Sequence, residues 1–210
     1  MAVAQAALLH VTAFTKHPVL SGAAVAVLGS ITPWIEAIAH HFDAATITTV
    51  EHNVPDCAHD RISTQHFNQF SDKASAGSYD AVVSYSSVEH AGLGRYGDPL
   101  DPSGDFRAMA AVHAALKPNG TLFWGAPVGQ DGLMWNAMRI YGRRRLPRLL
   151  EGFEVVEWFG HEEAVLDTAP VSLRPSGPLA FCKNAETSET GAQAWQWTNQ
   201  PVVVLRKVAK

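Results

Sequence analysis

The sequence predicts one α/β domain whose mainly parallel sheet is covered by helices on both faces. Three observations carry this. Short continuous apolar runs recur at residues 23–29 (AAVAVLG), 79–84 (YDAVVS) and 121–126 (TLFWGA), as strands buried on both faces require. Segments with helical spacing alternate with them, the order that parallel crossovers produce. The chain has 210 residues, 47% hydrophobic and 17% charged, which suits one domain with a sizeable core rather than a disordered chain. No internal repeat or composition break divides it, so residues 1–210 read as a single domain with its core over about 22–208.

The elements follow in order. After the first strand, Thr32 suits a helix cap and Pro33 the first helical position. Trp34, Ile35, Ile38, Ala39 and Phe42 then recur at helical spacing, predicting a helix over 33–42 that ends on His40 and His41, where positive charge suits the dipole. Residues 46–51 (TITTVE) are rich in β-branched side chains and read as the second strand. Residues 53–78 are polar and weakly patterned, with a short strand near 61–66. A long glycine- and proline-rich stretch, 89–105, leaves the 79–84 strand; such loops are usually functional or disordered. Asp105 is expected to cap a helix bearing Phe106, Met109, Ala110, Val112 and Leu116, ended by a turn at Lys117–Gly120. Residues 133–150 suggest a helix bent by Gly142 and Pro147, 153–159 and 202–208 suggest strands, and 160–200 an irregular excursion.

Bulk properties exclude several classes. A formal charge of −4 gives no general attraction to nucleic acid. Cys57 and Cys182 are two thiols in a chain too large to need a disulfide framework. No apolar run approaches the ~20 residues of a membrane span. Residues 1–20 lack a basic start and are interrupted by His10, Thr15, Lys16 and His17, so no signal peptide is expected and the expected location is cytoplasmic. Neither HExxH nor GxSxG occurs. Asp98, Asp101 and Asp105 lie beside Pro99 and Pro102 and read as turn caps rather than metal ligands. Arg143, Arg144, Arg145 and Arg148 suit either a solvated face or recognition of an acidic or phosphorylated ligand.

In a doubly wound sheet, ligands bind beyond the carboxyl ends of the strands, where strand order reverses. That rule selects 29–34, 51–53, 84–90 and 126–130, and with them Gly29, Ser30, Thr32, Glu51, His52, Asn53, Ser86, Ser87, Glu89 and His90. Glu51 is the sharpest signal: it ends a strand about 20 residues after the first strand's glycine, where an acid accepts hydrogen bonds from ribose hydroxyls. Only Gly29 of a GxGxxG fingerprint is present, which argues against a pyrophosphate ligand. His90 is read either as a general base oriented by Glu89 or, with Glu89, as a cap for the next element.

The run YDAVVSYSSVEH, the turn ALKPNG and the strand TLFWGAPVG resemble the motif IV to V region of class I S-adenosylmethionine-dependent methyltransferases. EHAGLGRYGDPLDPSGD, GAPVGQDGLMWNAMRIYGRRRLP and LEGFEVV are similar to the DUF268 family. The resemblance implies a Rossmann-like class I methyltransferase fold, a seven-stranded, mostly parallel sheet with VVVLRK inserted antiparallel. It implies S-adenosylmethionine held at Gly29, Ser30, Glu51, Asn53, Ser86 and Ser87. The family's first loop is an acid followed by GxGxG, whereas this chain has LGSITPW. An acid ending the third strand is the usual adenine contact, and Asp72 is the candidate.

The expected reaction is methyl transfer to oxygen or nitrogen of a small polar acceptor, a sugar or other metabolite, with His90 or Glu89 removing the acceptor proton. Arg95, Tyr96 and Asp98, with Trp135, Asn136, Arg139 and Tyr141, are expected to shape the acceptor pocket. The competing expectation is a non-catalytic subunit of an assembly, motivated by the altered glycine loop, Trp195 and Trp197; a homo-oligomer is compatible with either. A nicotinamide-dependent oxidoreductase is disfavoured because a Tyr-xxx-Lys pair is missing.

Overall fold

A computed structural model describes residues 2–72, 75–167 and 200–208. Its main sheet has seven strands: β1 (Ala24–Leu28), β2 (Thr46–Glu51), β3 (Ile62–His66), β4 (Tyr79–Tyr85), β5 (Leu116–Gly125), β8 (Phe153–Phe159) and β9 (Val202–Lys207). Their order is β3-β2-β1-β4-β5-β9-β8. The first five are parallel, and β9 lies antiparallel between β5 and β8. Alternation along the strands splits the core in two. Val25, Val27, Ala81, Val83, Phe123, Val202 and Val204 face one layer, and Ala26, Leu28, Val82, Leu122, Trp124, Val203 and Leu205 the other.

The first layer is closed by α1 (Ala2–Lys16) and α2 (Trp34–His41). The sequence reading missed α1, because its buried stripe is Ala6, His10, Ala13 and Phe14, too small and too polar to register as apolar. In α2, Pro33 stands at the cap itself and no side chain closes the first turn, so Thr32 is not the expected cap. The second layer is closed by α3 (Phe67–Ser71), α4 (Gly104–Ala115) and α5 (Leu146–Leu149). Ser103, not Asp105, holds the cap position of α4. Asp105 is fully buried in the first turn, bound by Arg145 at 2.6 and 2.8 Å. The expected turn at 117–120 is instead an irregularity inside β5, with Asn119 at φ 61°.

The expected helix over 133–150 does not form, save for its last turn. The chain forms a hairpin, β6 (Gly132–Met134) and β7 (Met138–Ile140), before the short α5. The Asp131 carboxylate explains the break, since it accepts the N–H groups of Gly142, Arg144 and Arg145 and diverts them from a helical ladder. A side chain at Gly142 would collide with the backbone of Gly129 and Asp131. Pro147 starts α5 instead of bending a longer helix. Among the described residues, no helix is long and apolar enough to cross a membrane. Cys182, Trp195, Trp197 and most of the expected 160–200 excursion lie outside the described residues.

Candidate active site

Strand order reverses between β1 and β4, whose connections leave in opposite directions, and a crevice opens there at their carboxyl ends. It holds a cavity of about 230 Å³ with an apolar floor of Leu28, Val50, Phe67, Val88 and Ala108. The polar lining comes from Glu51, His52, Asn53, Ser86, Ser87, His90 and Asp98.

Gly29 ends β1 at φ 77°, and a Cβ there would collide with the Ser87 side chain. This glycine is therefore required by the packing of two strand ends. Ser30, by contrast, turns inward: its hydroxyl is buried and donates to Glu36 at 2.7 Å. Thr49 donates to the other Glu36 oxygen at 2.7 Å, so this buried carboxylate ties the β1–α2 loop to β2. Ser30 does not line the cavity.

Glu51 is half-buried at the end of β2. One of its oxygens accepts the His52 N–H at 3.1 Å, and no hydrogen bond occupies the other among the described residues. Burial pushes its carboxyl above the usual range; the His52 N–H opposes the rise and the Glu36 charge adds to it. Burial likewise lowers His52, against the pull of Asp98 and with the push of His66. The His52 ring lies 5.5 Å from that of Phe67.

At the end of β4, Ser86 adopts φ 52° and the chain enters a single 3₁₀ turn, Val88–His90. This turn sends Glu89 into the protein and His90 to the cavity wall. Burial raises the Glu89 carboxyl, opposed by His90, its own N–H, the Ser86 hydroxyl and the Ser87 N–H, although neither oxygen reaches good hydrogen-bond geometry. His90 Nδ1 lies 2.5 Å from the Ala137 carbonyl, which assigns the proton to Nδ1, and Nε2 faces Glu89 Oε1 at 3.8 Å. Tyr96 sets its ring edge-on to His90 at 5.7 Å.

The remaining expected residues divide sharply. Tyr96 and Asp98 line the cavity. Arg95 is exposed and lies over the Tyr96 ring. Arg139 is buried and acts on the loop: its guanidinium donates to the carbonyls of Ala91 at 2.5 Å, Asp101 at 3.0 Å and Glu89 at 3.4 Å. Tyr141 is fully buried against Trp124, and burial, then Asp105 and Glu89, raises its phenol well above the ordinary value, with Arg139 and Arg145 opposing. Trp135 and Asn136 sit in the β6–β7 turn and take no part in the cavity. Asp72 caps the end of α3 and is not part of the cavity either; Phe67 lines it instead, a position a search for acids could not find. Asp98 accepts the N–H groups of Gly92 at 2.6 Å and Tyr96 at 3.3 Å. Burial acts to raise that carboxyl, but these N–H groups, with its own and that of Gly94, hold it below the usual range.

Three solved structures share the architecture. The [4+2]-cyclase SpnF superposes with a TM-score of 0.62 at 17% identity, covering 98% of this chain and 82% of the cyclase. A Burkholderia thailandensis 1,6-didemethyltoxoflavin-N1-methyltransferase, solved with 1,6-didemethyltoxoflavin and S-adenosylhomocysteine, gives 0.60 at 14%, covering 97% and 79%. An S-adenosylmethionine-dependent methyltransferase from Mesorhizobium loti gives 0.52 at 14%, covering 93% and 96%. No curated protein sequence matches the chain. The fold is the Rossmann-like class I methyltransferase fold, with the expected seven-stranded sheet and its antiparallel insertion. Over residues 22–175 the sequence matches the model of Caenorhabditis protein of unknown function, DUF268, and the chain belongs to that family.

Proposed function

We propose that the chain transfers the methyl group of S-adenosylmethionine to oxygen or nitrogen of a small polar acceptor. The observation that carries this reading is the half-buried Glu51 at the end of β2, with one carboxylate oxygen open at the cavity. Such a group suits a ribose diol, whose two hydroxyls donate to an acceptor-only carboxylate. Leu28, Val50 and Phe67 offer an apolar bed for a purine ring. The cavity is smaller than the ~300 Å³ at which enclosed ligand sites usually begin, so the ligand occupies its mouth as well as its floor.

When bound, the cofactor supplies an activated methyl on sulfur, and alignment with an acceptor lone pair is the main requirement. His90 then takes the acceptor proton at Nε2, where Glu89 at 3.8 Å stabilises the resulting charge. Fixing Nδ1 on the Ala137 carbonyl keeps the ring in the tautomer this needs.

Calorimetric titration with S-adenosylmethionine and S-adenosylhomocysteine tests the reading. Both are expected to bind, and Glu51→Ala to weaken them by about 10- to 100-fold, as for a charged hydrogen bond of about 1.5–3 kcal/mol. His90→Ala should leave affinity intact and lower turnover of any responsive acceptor by about 10²- to 10⁴-fold. Absence of heat from folded protein would overturn the assignment.

A further inference from the structure

A second recess lies across the 91–102 loop from the cavity. It has a volume of about 640 Å³, and Leu100, Leu133, Trp135, Asp131, Arg144 and Arg148 contribute to its walls. The loop is the partition: Ala91 and Asp98 line the cavity, whereas Gly92, Leu93, Leu100 and Asp101 line the recess. Arg139 reinforces that wall through the Ala91 and Asp101 carbonyls.

Two observations define what the recess accepts. First, it carries large apolar side chains open to solvent: Trp135 and Leu100 are each 66% exposed and Leu133 is 52% exposed. Scattered single exposures need no explanation, but three around one concavity mark a binding surface. Second, the four clustered arginines are not equivalent. Arg143 is engaged by Glu163 and Asp167, and Arg145 by Asp105. Arg144 and Arg148 have no acidic partner among the described residues, and both line the recess; Arg148 rests on the Phe106 ring at 5.1 Å. The recess keeps an excess of positive charge, since Arg139, Arg144, Arg145 and Arg148 line it against Asp101 and Asp131, and Asp101 is itself paired with Arg107.

We infer that this recess binds a small amphiphilic anion, its aromatic or aliphatic body against Trp135, Leu100 and Leu133 and its phosphate or carboxylate between Arg144 and Arg148. Guanidinium groups suit such a head, since their planar donors match two oxygens at once. The site is separate from the cavity and does not depend on the reaction proposed for it.

The test is calorimetric titration of the full chain with 1-naphthyl phosphate, beside its two halves, 1-naphthol and inorganic phosphate. The whole probe should bind at least about tenfold tighter than either half. The double variant Arg144→Gln/Arg148→Gln should lose about tenfold or more, and so should Trp135→Ala, with unchanged melting temperatures because all three side chains are exposed. Saturating S-adenosylhomocysteine should leave probe affinity unchanged, and Glu51→Ala should do the same. No binding, binding of 1-naphthol as tight as the whole probe, equal affinity in both recess variants, or displacement by S-adenosylhomocysteine would each overturn the inference.

Discussion

The two flanks of the cavity are built by different physics. On the β1–α2 side, the loop is tied by aromatic packing and one buried carboxylate. His10 meets the rings of Phe14, Trp34 and Tyr85 edge-on at 5.4 to 5.7 Å, and Glu36 gathers Ser30 and Thr49. Ile31, at the tip, stands exposed. On the β4–α4 side, the loop is held by charge: Arg139 gathers three carbonyls, Asp98 two N–H groups, and Arg145 closes on Asp105. The contrast explains how a loop rich in glycine and proline can still present His90, Tyr96 and Asp98 in fixed positions. Its order comes from Arg139 and Arg145 beneath it together with its own Asp98.

The contrast can be broken at its strongest point first. Arg139→Met should destabilise the protein by about 3–5 kcal/mol, because it leaves the Glu89, Ala91 and Asp101 carbonyls without their charged donor and removes the guanidinium 3.7 Å from buried Asp105. Denaturant unfolding reads this directly, and a loss under about 1 kcal/mol would show that Asp98 holds the loop unaided.

Acid should separate the flanks. Burial lowers His10 from 6.5 to about 4. The unfolded chain then binds a proton that the native state refuses, so this contribution is complete above pH 6.5 and is lost as pH falls toward 4. The loss amounts to about 3 kcal/mol at 1.36 kcal/mol per unit. His10→Phe should flatten the stability profile over that window, and parallel profiles for the two proteins would refute the assignment. Asp98 has the same sign in a lower window: its depressed carboxyl stabilises above the ordinary aspartate value and fails only as pH falls below it.

The smallest effect sharpens the first flank. Glu36→Gln keeps acceptor and donor atoms near Ser30 and Thr49 but removes the charge that adds to burial in raising Glu51. Glu51 should titrate at lower pH in the variant, followed by carboxyl carbon chemical shifts. An unmoved titration would leave burial as the whole cause.

β1, β4 and β5 are legible as short apolar runs and β2 by its β-branched side chains, whereas β3 is only weakly patterned and β6 and β7 fall where a helix is expected. Helices are less legible. α1 hides behind a buried histidine and alanines, and the 133–150 pattern satisfied a helix until the Asp131 side chain claimed its N–H groups. At the cavity, Gly29, Glu51, Asn53, Ser86, Ser87 and His90 follow from the strand-end rule alone. Arg139 and Tyr141 look like pocket residues in one dimension, because a guanidinium that binds backbone carbonyls cannot be told from one that binds a ligand.

The placement of β9 has a consequence for synthesis. Residues 202–205 are buried between β5 and β8, so an interior strand of the sheet is made almost 80 residues after the neighbour it completes at Gly125. Until Lys207 clears the ribosome, the open edge of β5 offers its backbone to any passing strand, and β8 has no sheet partner. The nascent chain is thus open to mispairing throughout the synthesis of residues 126–207.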